Sequence, residues 1–238
     1  LKGLEEFRDE YISHIYRHMC QEEIGQTIPC VTMCPAHVDI PGYIALIAEQ
    51  DYAGAVAMVR KDNPFPTACA MICEHPCEAR CRRNMIDSAV NIRGLKRMAV
   101  DHARANTVPV PPKAPSTGKR IAIAGGGPGG LAAAWRLARR GHSVTVYEAE
   151  PVMGGKMEQV IPRERLNPKL LKKEIDRIAA MGVKYVNGCR VDAAKFEALR
   201  KENDAVICAT GGHVARIFNW PGHELIVAGI DFMKDVNR

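Results

Sequence analysis

The stretch CAMICEHPCEARC places a cysteine at every fourth position, at Cys69, Cys73, Cys77 and Cys81. Pro76 lacks the amide donor that a continuous helix needs, so we predict a folded loop with short turns. Such a loop can bring four thiolates to one point, whereas a straight helix would spread them along about 18 Å. A set of thiolates suits an iron–sulfur cluster or a structural zinc ion, and buried thiols without a metal are the third interpretation.

Two further cysteines precede this segment in the run CVTMCP, which contains Cys30 and Cys34. Cys34 is followed by Pro35, as in ferredoxin-type runs that end in Cys-Pro. Structural zinc sites favour two-residue gaps between ligands, whereas every gap in these two segments is three residues long. We therefore predict iron–sulfur chemistry, with ligands drawn from Cys20, Cys30, Cys34, Cys69, Cys73, Cys77 and Cys81.

A second chemical signature is the turn GGGPGG within KRIAIAGGGPGGLAAAWRLARRGHSVTVYEAE. Its order of strand, glycine turn, helix and strand is that of a dinucleotide-binding unit. Gly125 would make the tight turn, Gly127 would let a pyrophosphate approach the backbone, and Gly130 would let helix and strand pack closely. Pro128 and Gly129 complete the predicted binding turn, at a helix N-terminus that favours phosphate.

Glu148 ends the second strand of this unit, 23 residues after Gly125. A carboxylate at that place can accept both ribose hydroxyls of a dinucleotide. The same negative charge disfavours the 2′-phosphate of NADP, which leaves FAD or NAD.

Helices and a linker must position these residues. Residues 1–20 carry an apolar stripe at helical spacing, and residues 38–65 predict two short helices, with Asp39 as a cap and Pro64 beyond the second. Residues 90–105 predict another helix. Residues 106–119 contain four prolines and predict a stiff linker. We therefore predict a helical metal-binding domain over 1–105 and a Rossmann-like α/β domain over 120–238.

Composition narrows the class of protein. The 238 residues are 47% apolar, which is enough for two modest cores, and the net charge of +6 is too mild to favour nucleic-acid binding. No signal peptide or membrane-spanning run is recognisable, so a reducing, cytoplasmic compartment is predicted. In that compartment clustered cysteines are more often metal ligands than disulfides. Cys189 and Cys208, in the second domain, are predicted to be buried apolar thiols.

The blocks CVTMCPAHVDIPGYI, DNPFP, CAMICEHPCEARCRR and VNIRGLKRMAVD resemble one family of helical domains. It occurs in the glutamate synthase small subunit, the N-terminal part of dihydropyrimidine dehydrogenase and the large subunit of ferredoxin:NADP transhydrogenase. The resemblance implies two [4Fe–4S] clusters with crossed ligation. The first motif and Cys81 would serve one cluster, Cys34 would join Cys73 and Cys77 at the other, and Cys69 would be a spare thiol.

The resemblance also indicates FAD as the dinucleotide. MGGKM resembles the second glycine pair of two-dinucleotide flavoproteins, ICATGG resembles their strand-end Ala-Thr-Gly, and IPRERLNP resembles their flavin-side loop. The residues that it adds to the predicted cofactor site are Gly154, Gly155, Ala209, Thr210 and Gly211. The fold class is then an α-helical iron–sulfur domain followed by an incomplete α/β Rossmann-like FAD-binding domain.

Two positions depart from the family pattern. The family opens with C-x2-C-x4-C-x3-C-P, but its first two cysteines would fall on Glu22 and Gly25, and only Cys20 is available nearby. The Glu or Gln that often ligates the second cluster is replaced by Lys96, which cannot serve while protonated. Seven thiols cannot complete two clusters of four ligands. One cluster is then incomplete, uses Cys69, or is absent.

Two functions follow from these predictions. In the first, the chain is an oxidoreductase subunit or fragment that passes electrons between one or two [4Fe–4S] clusters and FAD. Its partners would be other redox subunits, with ferredoxin and a separate NAD(P)H-binding domain as candidates, because no second glycine fingerprint is present. In the second, it is a truncated, non-catalytic adaptor that docks redox subunits. No side chain is predicted to act as a catalytic acid, base or nucleophile.

Overall fold

The computed structural model describes residues 28–103 and 110–237. The predicted N-terminal helix and Cys20 therefore lie outside the described residues. Six helices form the first half, and a parallel sheet with helices forms the second. This order agrees with the predicted fold class.

The helical half is built from short segments that begin at clear start signals. Asp39 and Asp51 each cap a helix through a carboxylate that accepts a backbone N–H, from Gly42 at 2.9 Å and Gly54 at 2.8 Å. Proline occupies the first turn of four of these helices, where its missing N–H costs nothing. The helices are α1 Pro29–Met33, α2 Ile40–Ala48, α3 Tyr52–Arg60, α4 Pro66–Ile72, α5 Pro76–Ala79 and α6 Ile92–His102.

The segment of four cysteines is more helical than predicted. Cys69 lies inside α4, and α5 begins at Pro76, where the proline starts a helix instead of interrupting one. The reversal between the two helices is confined to the residues around His75, whose φ is +42°. The prediction of a folded loop was therefore wrong for Cys69 and Cys77, which lie in helices, and right for the turn between them. The physical reason is that Pro76 occupies the first turn of α5, where its missing N–H does not interrupt a helix.

The second half is a four-stranded parallel sheet in the order β3-β2-β1-β4. Its register pairs Ile123 of β1 with Val146 of β2 on one side and with Ile207 of β4 on the other. The strands are β1 Arg120–Ala124, β2 Ser143–Tyr147, β3 Lys184–Val186 and β4 Ala205–Cys208. The helices are α7 Pro128–Arg139, α8 Lys156–Gln159, α9 Pro168–Ala180, α10 Ala193–Glu202 and α11 Gly229–Val236.

The two halves of the chain contact each other at the C-terminal end of α3. The buried indole of Trp135 on α7 donates from Nε1 to the carbonyl oxygen of Arg60 at 3.1 Å. Arg139 of α7 donates to the carbonyl oxygen of Lys61 at 2.8 Å. These donors satisfy carbonyl groups that the end of a helix leaves without partners. Helix α7 of the sheet domain therefore holds the last turn of α3.

A second connection joins α9 to the cysteine-bearing helix α4. The carboxylate of Glu174, only 2% exposed, accepts hydrogen bonds from the backbone N–H groups of Thr67 at 2.7 Å and Ala68 at 3.1 Å. These are first-turn donors of α4, which has no capping side chain of its own. Phe65 and Ala68 also pack into the apolar core of the sheet domain. The helix that carries Cys69 is thus positioned partly by the sheet domain.

Candidate cluster and dinucleotide sites

The cysteines of the helical half lie on α1, on α5 and at the end of α4. Cys30 is in α1 and Cys34 is its C-terminal cap, while Cys77 is in α5 and Cys81 follows it. Helices α1 and α5 are in contact. Cys73 caps the end of α4, immediately before the turn into α5. The fold therefore brings together thiols that are about forty residues apart in the sequence.

The electrostatic coupling of the thiols separates them into two overlapping groups. Burial raises the pKa of the Cys30 thiol, and the neighbouring thiols of Cys81 and Cys34 raise it further. Burial is also the largest cause that raises the pKa of Cys77 to about 11, with Cys73 and Cys34 adding to the rise. Cys30 thus lies near Cys81, Cys77 lies near Cys73, and Cys34 lies near both groups.

Tyr43 of α2 lies near thiols of both groups, and the sequence pattern did not indicate it. Its ring is fully buried, and its hydroxyl donates to the carbonyl oxygen of Ile92 at 3.1 Å. Burial raises the pKa of Tyr43, and the nearby Cys77, Cys30 and Cys34 raise it further. An apolar residue on the helical stripe of α2 is ordinarily core, so the pattern alone carried no signal for this position.

Cys69 and Lys96 lie together beside the second group of thiols. Burial raises the pKa of the Cys69 thiol, while the hydrogen bond from Asn63 Nδ2 to Sγ, 2.9 Å long, and the charge of Lys96 lower it. Lys96 also opposes the rise in the pKa of Cys77. Its side chain is only 7% exposed, and its Nζ lies 5.9 Å from the centroid of the Tyr43 ring. A buried ammonium group therefore faces two thiols.

Backbone and side-chain donors fix the turn between α4 and α5. The backbone N–H of His75 donates to Cys73 Sγ at 3.3 Å, and Arg93 donates from Nη1 to the carbonyl oxygen of Cys73 at 2.9 Å. Glu78 of α5 accepts the backbone N–H of Arg93 at 2.8 Å. These contacts tie α6 to the thiol-bearing turn. Hydrogen bonds to cluster sulfurs are one of the ways in which proteins set a reduction potential.

The cysteines suit an iron–sulfur cluster by the chemistry of their donors, which are all free thiols in the described residues. Within residues 28–103 and 110–237, no three His, Cys, Asp or Glu side chains close around a single metal ion. A 3₁₀ helix, Arg82–Met85, follows Cys81, and Met85 and Ile86 are exposed at its end.

The glycine turn after β1 has the shape that a dinucleotide requires. Gly125 has a φ of +112°, and a Cβ on Gly130 would lie 1.9 Å from the carbonyl oxygen of Gly125. Helix α7 can therefore approach the turn only because residue 130 is glycine. At Gly127, in contrast, an added Cβ would meet nothing closer than the Cα of Gly155, at 3.9 Å. Pro128 and Gly129 are exposed beside this opening.

Glu148 lies under the turn, with 7% of its surface exposed. Its Oε2 accepts the backbone N–H of Gly126 at 2.7 Å, and its Oε1 accepts the backbone N–H of Glu150 at 2.9 Å. The carboxylate is thus oriented by the backbone on both sides. Each oxygen of an ionised carboxylate has a second lone pair, so ribose hydroxyls can still be accepted.

The other predicted cofactor residues surround the same opening. The backbone N–H of Gly154 donates to the carbonyl oxygen of Gly126 at 2.8 Å, and an added Cβ on Gly155 would lie 2.8 Å from the Cα of Gly127. Ala209 continues β4 and donates to the carbonyl oxygen of Ala124 at 2.7 Å. The exposed pair that follows is Thr210 and Gly211. Three segments distant in sequence therefore meet at the carboxyl end of β1.

Two expectations for the second domain need correction. Cys208 is exposed and Cys189 is half-buried, so neither is the buried apolar thiol that was predicted. The reason is that β4 and β3 are the two edge strands of the described sheet, where side chains are less covered than on β1. Cys208 ends β4, and Cys189 lies three residues after β3. Among the described residues no helix is both long and apolar enough to cross a membrane.

Comparison with known families assigns each half of the chain. Residues 17–108 match a family described as dihydropyrimidine dehydrogenase domain II, 4Fe-4S cluster. Residues 123–168 match a family described as NAD(P)-binding Rossmann-like domain. The two matches fall on the thiol groups and on the glycine turn, respectively.

Similar proteins are subunits of oxidoreductases. Subunit beta of NADPH-Fe(3+) oxidoreductase from Geobacter sulfurreducens is 35% identical, over 99% of this chain and 37% of the relative. Subunit beta of NADP(+)-dependent formate dehydrogenase from Moorella thermoacetica is 36% identical, over 89% and 34%. Subunit PreT of NAD-dependent dihydropyrimidine dehydrogenase from Salmonella typhimurium is 32% identical, over 87% and 51%. The chain thus spans from a third to a half of these relatives.

Proposed function

We propose that the chain is the electron-transfer part of a larger NAD(P)H-linked oxidoreductase. The chain belongs to the iron–sulfur oxidoreductase family that includes dihydropyrimidine dehydrogenase. It would pass electrons between [4Fe–4S] clusters and FAD. The observation that carries the proposal is that the contacting helices α1 and α5, together with the end of α4, bring their thiols into one region beside the buried Tyr43. The relatives whose names describe oxidoreductase subunits support it.

The two thiol groups would hold two clusters with crossed ligation. Cys34 would join Cys73 and Cys77 at one cluster, in agreement with the coupling of Cys77 to both. Cys30 and Cys81 would serve the other, in agreement with their coupling. Cys20 is the remaining thiol for that second cluster. Cys30 and Cys34 are four residues apart, as are Cys77 and Cys81, and the members of each pair would bind different clusters. This arrangement would keep the two clusters close to each other, which would favour electron transfer between them.

FAD is the proposed dinucleotide. The opening at Gly127 would admit the pyrophosphate, the N-terminus of α7 would favour its negative charge, and Glu148 would accept the ribose hydroxyls. Gly154, Gly155 and the segment 209–211 would line the remaining edges of the opening. When bound, a flavin supplies exchange between two-electron hydride chemistry and single-electron carriers. The buried Glu148 carboxylate disfavours a 2′-phosphate at this position.

The proposed partners are other redox subunits or domains of one complex. A separate NAD(P)H-binding domain would deliver the hydride, and a ferredoxin-type carrier is a candidate to exchange electrons with the clusters. The reducing cytoplasm is the proposed compartment, because clustered cysteines there are more often metal ligands than disulfides. The division of the chain at the proline-rich residues 106–119 remains part of this proposal.

Anaerobic purification with metal and flavin analysis tests the proposal. We expect iron with matching acid-labile sulfide, and flavin absorption after reconstitution with FAD. Cys77→Ser should remove more iron than the control Cys189→Ser, since Cys189 lies in the sheet domain. Near-stoichiometric zinc without sulfide would refute the cluster assignment. Iron without any flavin binding would favour the adaptor function over electron transfer to FAD.

A further inference from the structure

Lys96 is a buried positive charge that the helical domain does not otherwise balance. Its side chain is 7% exposed, and no carboxylate within the described residues forms an ion pair with it. A buried charge without a partner is costly, so a compensating negative group is expected nearby. The groups close enough to influence it are the thiols of Cys69 and Cys77. Lys96 therefore lies close to two thiols that a metal cluster could recruit as ligands.

Cys69 is placed to act together with Cys73. The two residues are four apart at the end of α4, so their side chains project from the same face of the helix as neighbours. Asn63 Nδ2 donates to Cys69 Sγ at 2.9 Å, and the backbone N–H of His75 donates to Cys73 Sγ at 3.3 Å. Both sulfurs thus accept an N–H hydrogen bond, a contact that proteins also make to the sulfurs of iron–sulfur clusters.

Glu174 helps to fix the position of Cys69 beside the other thiols, because it binds the first turn of the helix that carries Cys69. Glu174 binds the N–H groups of Thr67 and Ala68, which fixes the first turn of α4 and the rotation of the helix about its axis. With Ala68 packed into the core of the sheet domain, Cys69 on the next position is half-buried against the thiol cluster. Cys69 is therefore held in place from both domains.

We infer that Cys69 is the fourth ligand of the cluster held by Cys34, Cys73 and Cys77, and that the Lys96 ammonium group balances the additional thiolate. This inference rests on the proposed function, since it requires a cluster at this site. It follows from two coupled features: a polar ligand cannot come from residue 96 while it is a protonated lysine, and a fourth thiol stands beside that lysine. The cluster then has four sulfur ligands and a buried cation at its edge.

The paired variants Cys69→Ala and Lys96→Gln test this assignment. Cys69→Ala should lose about one iron atom or more per chain and change the electron paramagnetic resonance spectrum of the reduced protein, because one corner loses its ligand. Lys96→Gln alone should keep the iron but lower the reduction potential of the cluster, because a positive charge near the cluster favours the reduced form. The double variant should regain iron, since glutamine offers an amide oxygen in place of the lost thiolate. Cys189→Ser is the matched control for removing a thiol.

The outcomes separate this inference from the proposed function. Wild-type protein without iron and sulfide would remove both. Wild-type iron content and an unchanged spectrum in Cys69→Ala would overturn the ligand assignment and leave the proposed function intact. Loss of iron in Cys69→Ala without recovery in the double variant, together with a loss of helix by circular dichroism, would show that Cys69 acts only in packing.

Discussion

Gly127 and Gly130, three residues apart in one turn, should respond in opposite ways to the same substitution. Gly130→Ala would place Cβ 1.9 Å from the carbonyl oxygen of Gly125, whereas carbon and oxygen normally stay about 3.3 Å apart or more. The obstacle is backbone, which cannot rotate away as a side chain can. Gly127→Ala would place Cβ 3.9 Å from its nearest neighbour, Gly155, on the side where the pyrophosphate is proposed to run.

The expected magnitudes follow from these distances. Crowding of a packed site costs about 1–3 kcal/mol, and the gain in helix propensity from Gly to Ala returns about 1 kcal/mol. Because relief of the contact at Gly130 requires a shift of more than an ångström, we expect a net loss of about 2 kcal/mol in the free energy of unfolding. Gly127 has ordinary extended angles, φ −76° and ψ −176°, so Gly127→Ala should cost less than about 1 kcal/mol.

Urea unfolding followed by circular dichroism, together with FAD titration, checks both variants. Gly127→Ala should weaken FAD binding by about tenfold or more, which is about 1.4 kcal/mol, while its unfolding midpoint and its iron content stay near those of the wild type. Gly130→Ala should lower the unfolding midpoint. The reasoning would be refuted if Gly127→Ala destabilised the fold as strongly as Gly130→Ala, or bound FAD with unchanged affinity.

Two further predictions concern the interface between the domains. Trp135→Phe removes the donor to the carbonyl oxygen of Arg60 and leaves that buried carbonyl unpaired. We expect the free energy of unfolding, measured in the same urea assay, to fall by about 1–3 kcal/mol. The exposed control Trp220→Phe should change it by less than about 0.5 kcal/mol. Burial raises the pKa of Glu174 above its usual 4.5. Between these two pKa values, the folded state retains a proton that the unfolded chain has released. The free energy of unfolding should therefore fall as the pH rises from about 4.5 through the raised pKa. Glu174→Gln should flatten this dependence in unfolding curves, while the exposed control Glu197→Gln should leave it unchanged.

Local signals in the sequence predict the glycine turn and the helix caps. Gly125, Gly127, Gly130 and Glu148 are positioned by one strand, one turn and one helix that follow each other directly, so their spacing carries the geometry. Likewise Asp39 caps α2 through residues only three apart. Contacts of this kind depend on neighbouring backbone dihedral angles, and residue types restrict those angles strongly. The turn and the caps could therefore be predicted before any packing was known.

The surroundings of the thiols required the tertiary structure. Nothing in the local sequence links Glu174 to the N-terminus of α4, more than a hundred positions away, or Trp135 to the last turn of α3. The same holds for the burial of Tyr43 near the thiols and for the burial of Lys96 near Cys69. Such contacts arise because buried donors, acceptors and charges must find partners wherever the packed chain brings them. Their partners are set by how the helices and the sheet pack, and residue spacing does not encode that arrangement.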